Sequence, residues 1–297
     1  MPPPKPRTTA RTTRRSDGHA ADRTRIRGAA GNASARTAAP APSRAARAAR
    51  TGPRSEVAKF RGFARDAMQF WHELAAEMSR EWYLANKARY EAVWRDPMLA
   101  LLGEVARRLA PVYRPLAIDP PGVLRLHRDL RFSHDRTPYK THIAGVLRPT
   151  GAPIAKVGNA ALYFELGLGP APESEGRADL GGLVDDEYAG NGCYQFADDK
   201  LARWRRAVAG APGARLAPLI DRLGAAGYRI RGDEYQRVPT GFAPDHPRAA
   251  LLRKRGLTCA FPAIPAGLLH EPTLTDWLVQ HTTATAPLVI WLHRNVG

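Results

Sequence analysis

Val123-Leu-Arg-Leu-His127-Arg-Asp-Leu-Arg-Phe132-Ser-His-Asp135-Arg-Thr-Pro-Tyr139-Lys-Thr-His-Ile-Ala-Gly-Val-Leu147 alternates at both ends and is charged in its middle. Leu124, Leu126 and Arg128 point one way, and Val123, Arg125 and His127 the other. That is the period of two of a half-buried strand. Thr141, Ile143, Gly145 and Leu147 alternate in the same manner with Lys140, His142, Ala144 and Val146. The stretch therefore reads as two strands joined by a polar loop, with Phe132 as the loop's apolar anchor. Ala160–Leu166 and Cys193–Phe196 read as further strands, and Gly167–Gly192, rich in Gly, Pro, Asp and Glu, as a long surface excursion between them.

Helical spacing lies on either side of this central block. Phe63, Ala67, Phe70, Trp71 and Leu74 recur at helical intervals. A second helix spans about Arg80 to Arg95, and a third begins near Pro97 with Met98, Leu101, Leu102, Val105 and Leu109 as its apolar stripe. Beyond the central strands, a helix follows Asp198 or Asp199 through Leu201, Trp204 and Val208, and a short one covers Leu216–Leu223. Tyr228–Arg231 and Leu257–Phe261 read as short strands. Asp245 caps a helix through Leu251, and Thr273 or Thr275 caps a last one towards His281, with Leu288–His293 either helical or extended. Helices first, strands in the centre and helices again give an α+β fold: N-terminal helices on a mostly antiparallel sheet, with further helices towards the C-terminus.

The charge is unevenly spread. The 297 residues carry 45 Lys and Arg against 28 Asp and Glu, a net +17. Residues 1–55 hold 13 of the bases and only Asp17 and Asp22 as acids. Ile26 is their only large aliphatic after Met1. Such a segment cannot offset its ordering entropy by burial, so the sequence predicts a disordered basic tail, 1–55, and one globular domain, 56–297. The tail reads as an arm for nucleic acid or as a solubilising leader; it has no aromatic on which a base could stack.

Composition excludes collagen-like, disulfide-stapled and wholly disordered chains. Cys193 and Cys259 stand far apart with no C-x-x-C, which fits buried thiols and a cytoplasmic setting. No apolar run approaches the roughly 20 residues of a membrane span; Ala286–Leu292 is the best fragment. Arg14-Arg15 has no apolar region after it, so export is not indicated. No G-x-x-x-x-G-K-[ST], G-x-S-x-G or dinucleotide fingerprint occurs.

The chemistry is densest between Arg125 and Lys140. Arg125, Arg128, Arg131 and Lys140 offer donors suited to phosphate or carboxylate, the guanidiniums in a planar fork. His127 lies among them, and Lys87 and Tyr90 sit on the rim if the second helix packs nearby. Asp129 and Asp135 are candidates for an acid–base pair and Tyr139 for a hydrogen-bond donor to an oxyanion. The same residues also read as an Arg–Asp lattice bracing a long loop. His127, Asp129, His134, Asp135 and His142 include metal-ligand types, but interleaved cations repel a metal, so neither metal nor cofactor is expected. Three functions stay open: a domain that binds, and turns over if the aspartates act, a small phosphorylated or carboxylated molecule; a nucleic-acid-binding module helped by the tail; and a protein-interaction domain without a small ligand.

The joint pattern R-x-x-R-D-x-R-F-x-x-D-x-x-x-Y from Arg125 to Tyr139 resembles domain-of-unknown-function family 2461. So do Phe60-x-Gly62-Phe63, Trp82-Tyr83-x-x-Asn86-Lys87-x-x-Tyr90, Gly190-x-Gly192 and Pro239-x-Gly241-Phe242 before Asp245-His246-Pro247. The resemblance covers roughly residue 60 to the C-terminus. It implies a shared domain without an assigned activity. Arg136 replaces the lysine usual after the second aspartate, Glu77-Met78 replaces an asparagine pair, and Gly167–Asp186 is longer than usual.

Overall fold

The computed structural model describes residues 59–128, 136–150, 158–168 and 187–297. Helix α1 (Ala67–Glu77) buries Phe70, Trp71 and Leu74 completely, each burial stabilising by about 1.5–3 kcal/mol. It closes at Met78, whose backbone is left-handed (φ 45°) and whose N–H returns to the Leu74 carbonyl at 2.8 Å. Phe60 and Phe63 are buried ahead of it in non-helical chain, so the apolar spacing there marks core rather than helix.

Ser79 starts α2 (Arg80–Tyr90), its hydroxyl accepting from the Trp82 amide at 3.1 Å. The sequence suggested a break before Pro97. Instead the backbone stays helical through a π turn (Glu91–Arg95) directly into α3 (Asp96–Leu109). Proline cannot donate to the preceding turn and its ring crowds the carbonyl four residues back. A wider turn just before Pro97 accommodates both effects without ending the helix. Met98, Leu101, Leu102, Val105 and Leu109 form the buried stripe of α3.

The sheet is antiparallel throughout. Its strands are β1 (Gly122–Val123), β2 (His142–Leu147), β3 (Asn159–Gly167), β4 (Glu187–Cys193), β5 (Arg229–Arg231) and β6 (Leu257–Ala260), in the order β1-β2-β3-β4-β6-β5. The β1 ladder continues past Val123 through bonds from Leu124 N–H to the Ala144 carbonyl (2.8 Å), Lys140 N–H to Leu126 (2.9 Å) and Arg128 N–H to Pro138 (2.9 Å). The two expected strands are thus paired antiparallel as the arms of one hairpin.

Two elements differ from the sequence expectation. The strand placed at Cys193–Phe196 is β4, Glu187–Cys193, so the end of the expected excursion is sheet. Its Gly190-Asn191-Gly192 sequence looks like a turn but answers a close approach. Gly192 has φ +104°, and a Cβ there would sit 2.4 Å from the Leu257 carbonyl oxygen on β6. The short helix at Leu216–Leu223 is the middle of a longer one, α5 (Ala211–Ala225), which carries Pro218 inside.

One sheet face is covered by helices. Gly145 of β2 lies against Met98 and Leu102 of α3. The last helix, α7 (Leu274–Asn295), runs unbroken through Pro287 and packs on β3 and β4. Two buried amides fix it: Asn159 Nδ2 donates to the Val289 carbonyl at 2.9 Å, and Asn191 Nδ2 to Thr285 Oγ1 at 2.6 Å. Helix α4 (Asp198–Ala209) packs against α5, and α6 (Ala249–Arg253) against α4. The architecture is α+β, with helices before and after a central antiparallel sheet. No helix among the described residues is long and apolar enough to cross a membrane.

Candidate functional site

Tyr83, Lys87, Glu91 and Arg95 follow one another at four-residue spacing along α2 and the π turn, so they share a face. The opposite face is anchored by aromatic packing. Phe70 lies 5.4 Å from Trp82 and 5.7 Å from Tyr90, Trp71 lies 5.3 Å from Trp94, and Trp94 Nε1 donates to the Ala67 carbonyl at 3.1 Å. These contacts hold the helix at a fixed rotation and aim the Tyr83–Arg95 stripe at Val123–His127 of the hairpin.

A cleft of about 240 Å³ lies between the two walls, lined by Tyr83, Lys87, Tyr90, Glu91 and Arg95 on one side and Val123–His127 on the other. Arg125 and His127, two apart on extended chain, are both exposed on it. Lys87 Nζ is 3.7 Å from Glu91 Oε1, and Arg95 reaches Asp96 at 3.4 Å. Among the described lining residues, three cations (Lys87, Arg95 and Arg125) stand with one carboxylate, Glu91. π turns recur at functional sites, and this one supplies both Glu91 and Arg95.

The floor is aromatic. Tyr139 is 2% exposed, with its ring 4.8 Å from Tyr83 and 4.9 Å from His127. Burial raises the Tyr83 phenol above its ordinary value, with the Glu91 charge adding to it, and pushes Tyr90 up to about 12. Both therefore stay protonated near neutral pH and can donate to an anion.

Of the residues read from the sequence, the structure brings Arg125, His127 and Lys87 together around this cleft. Arg128 and Lys140 do not line it, and Tyr139 only underlies it, packed against Tyr83 and His127. Arg128 Nε donates to the Tyr139 carbonyl at 2.9 Å and so ties the two hairpin strands. Lys140 is half-buried and pairs through its backbone, and Tyr139 packs in the floor. Asp129, Arg131, Phe132, His134 and Asp135 lie outside the described residues. Glu91 and Arg95 were missed. Their four-residue register with Lys87 was visible, but which surface the stripe meets depends on the aromatic packing behind it.

Elsewhere, His142 Nε2 lies 3.8 Å from Glu165 Oε2, which also accepts from the Tyr163 hydroxyl. Among the described residues no three His, Cys, Asp or Glu side chains gather as a metal site. Both thiols are buried and in no disulfide, and burial pushes Cys193 up to about 11 and Cys259 up to about 12, so neither is a thiolate at neutral pH.

No curated protein and no solved structure matches the chain. The model of the family described as conserved hypothetical protein (DUF2461) matches residues 66–171 and 184–291, which span α1 through most of α7 and include both walls of the cleft. The chain belongs to the DUF2461 family.

Proposed function

We propose that the cleft between α2 and the β1 hairpin binds a small phosphorylated or carboxylated molecule. The observation that supports this reading is the convergence of Lys87, Arg95, Arg125 and His127 on one hollow where, among the described residues, Glu91 is the only acidic lining side chain. Two guanidiniums from opposite walls can each present paired donors to oxygen atoms, and a lysine adds a point charge. The volume lies below the roughly 300–1,000 Å³ of sites for drug-sized ligands. It suits an anion of few heavy atoms, or the head of a longer one. Asp129 or Asp135 as a general base, with Arg131 adding to the anion site, extends the proposal from binding to turnover.

The test is calorimetry and thermal shift on the full chain with inorganic phosphate and a panel of phosphorylated and carboxylated metabolites. A ligand at 100 times its Kd should raise stability by about 2.7 kcal/mol. Arg125→Ala should abolish the shift. Arg108→Ala, which breaks a surface pair with Asp276, should leave it intact. Binding indifferent to Arg125, Arg95 and Lys87 would refute the assignment, as would no binding by any member of the panel. Turnover is tested separately by Asp129→Asn, which should bind as the parent does and lose activity.

A further inference from the structure

A different surface carries a second inference, independent of the cleft. Residues 198–255 hold 13 Lys and Arg against six Asp and Glu, while the rest of 56–297 holds 19 against 20. The whole positive excess outside residues 1–55 therefore belongs to α4, α5, β5, α6 and their connections. Within this region Tyr235 is 40% exposed; the only other exposed large apolar side chain among the described residues is Leu84.

Tyr235 is not a loose side chain. Its amide donates to the Arg253 carbonyl at 2.9 Å, and two guanidiniums lie over its ring: Arg205 from α4 and Arg255 from the segment before β6, each 5.3 Å from the centroid. Neither forms an ion pair with a carboxylate among the described residues. Arg205 Nε is buried without a hydrogen-bond partner. The nearby Arg253 and Lys254 differ, because Glu234 pairs with both, at 3.2 and 2.5 Å. Two guanidiniums without a carboxylate partner among the described residues thus lie beside the exposed ring.

We propose that this face binds a single-stranded nucleic acid. Such a strand alternates a flat base with a phosphate. Aromatic rings and guanidinium planes take the base by stacking, and guanidinium N–H groups donate to the phosphate oxygens. Arg205, Tyr235 and Arg255 supply both in one constrained stack, and Arg237, two residues along the chain from Tyr235, is an exposed cation. An acidic polypeptide would use the charge but leave the ring without a role.

The test measures fluorescence anisotropy of a labelled oligo-dT of about ten nucleotides with the full chain across a salt series. Tyr235→Leu should weaken binding at least about fivefold, while Tyr235→Phe, which keeps the ring, should bind as the parent does. The double variant Arg205→Gln/Arg255→Gln should flatten the slope of log K against log salt by about 1.4, two single-strand phosphate contacts. Parental affinity and slope in Tyr235→Leu and in the double variant would overturn the proposal, since the strand would then be held elsewhere, residues 1–55 included. A polyglutamate of equal length binding as tightly as the oligonucleotide would overturn it too. If Tyr235→Leu gives no cooperative melt, Tyr235→Phe and the double variant decide between the same outcomes.

Discussion

His281 of α7 shows how one half-buried titratable group shapes the pH response. Its Nδ1 lies 2.9 Å from the Tyr228 hydroxyl, and its ring lies 4.5 Å from Trp277 and 5.8 Å from Phe261. Burial in this aromatic setting lowers its pKa below the ordinary 6.5. Below about pH 6.5 the unfolded chain therefore binds this proton more readily than the folded one, and stability falls with pH down to the lowered folded value. Above 6.5 the contribution is complete. His281→Gln should flatten the stability curve between about pH 7 and 5 relative to the parent, read from urea midpoints across pH. Parallel curves would show that His281 titrates alike in both states. Arg128 offers a second case. Its Nε bond to the Tyr139 carbonyl is structural, and lysine has no donor at that branch point. Arg128→Lys should cost on the order of 1–2 kcal/mol of stability and leave anion affinity in the cleft within about twofold of the parent, since the side chain does not line it. A fully stable variant with lost affinity would return Arg128 to the binding set.

Among the elements, close approaches discriminate strongly between positions. A Cβ on Gly145 of β2 would meet Leu102 Cδ1 at 2.5 Å and Met98 Sδ at 2.8 Å, both tips of flexible side chains on α3. A Cβ on Gly213 of α5 would meet the Val208 carbonyl oxygen at 1.9 Å, which is backbone of α4. Gly145→Ala should cost about 1–3 kcal/mol, the range for overpacking that side chains can absorb. Gly213→Ala should cost more, because α4 and α5 must separate; equal urea midpoints for the two variants would contradict this. The same contrast explains what was legible in the sequence. β2 and β3 were readable because Ile143, Leu147, Leu162, Phe164 and Leu166 face a helix layer and impose a period of two. β4 was misplaced because its centre is Gly190-Asn191-Gly192, a local turn signature selected by neighbours distant in sequence. The cleft was half legible. Arg125, His127 and Lys87 stood out as chemistry, but the pairing of α2 with the hairpin rests on packing among Phe70, Trp71, Trp82 and Trp94, which no local spacing encodes.

At the scale of the molecule, charge is unevenly spread along the sequence. The buried set begins at Phe60 and extends to Val296 among the described residues, drawing on every helix from α1 to α7. Residues 1–55 offer that core almost nothing of the right kind, with Met1 and Ile26 as their large apolar side chains and 13 basic groups for two acids. Each ordered residue costs roughly 1–2 kcal/mol of backbone entropy, and a segment so poor in apolar surface has no burial to set against it. We propose that these residues lie outside the folding unit. Deleting 1–55 should therefore move the melting temperature by less than about 2 °C, while a fall of more than about 5 °C, equivalent to a kcal/mol or more in a domain of this size, would show that the segment docks. The same truncation divides polyanion binding between the two basic regions. Loss of 13 dispersed cations should reduce the salt dependence of oligonucleotide binding. Sensitivity to Tyr235→Leu should survive in the truncated chain, because an aromatic stack on the body does not depend on charges supplied by the tail. A truncated chain that binds no oligonucleotide would place strand binding in residues 1–55 alone, and one that binds equally with Tyr235 or leucine would place it elsewhere on the body.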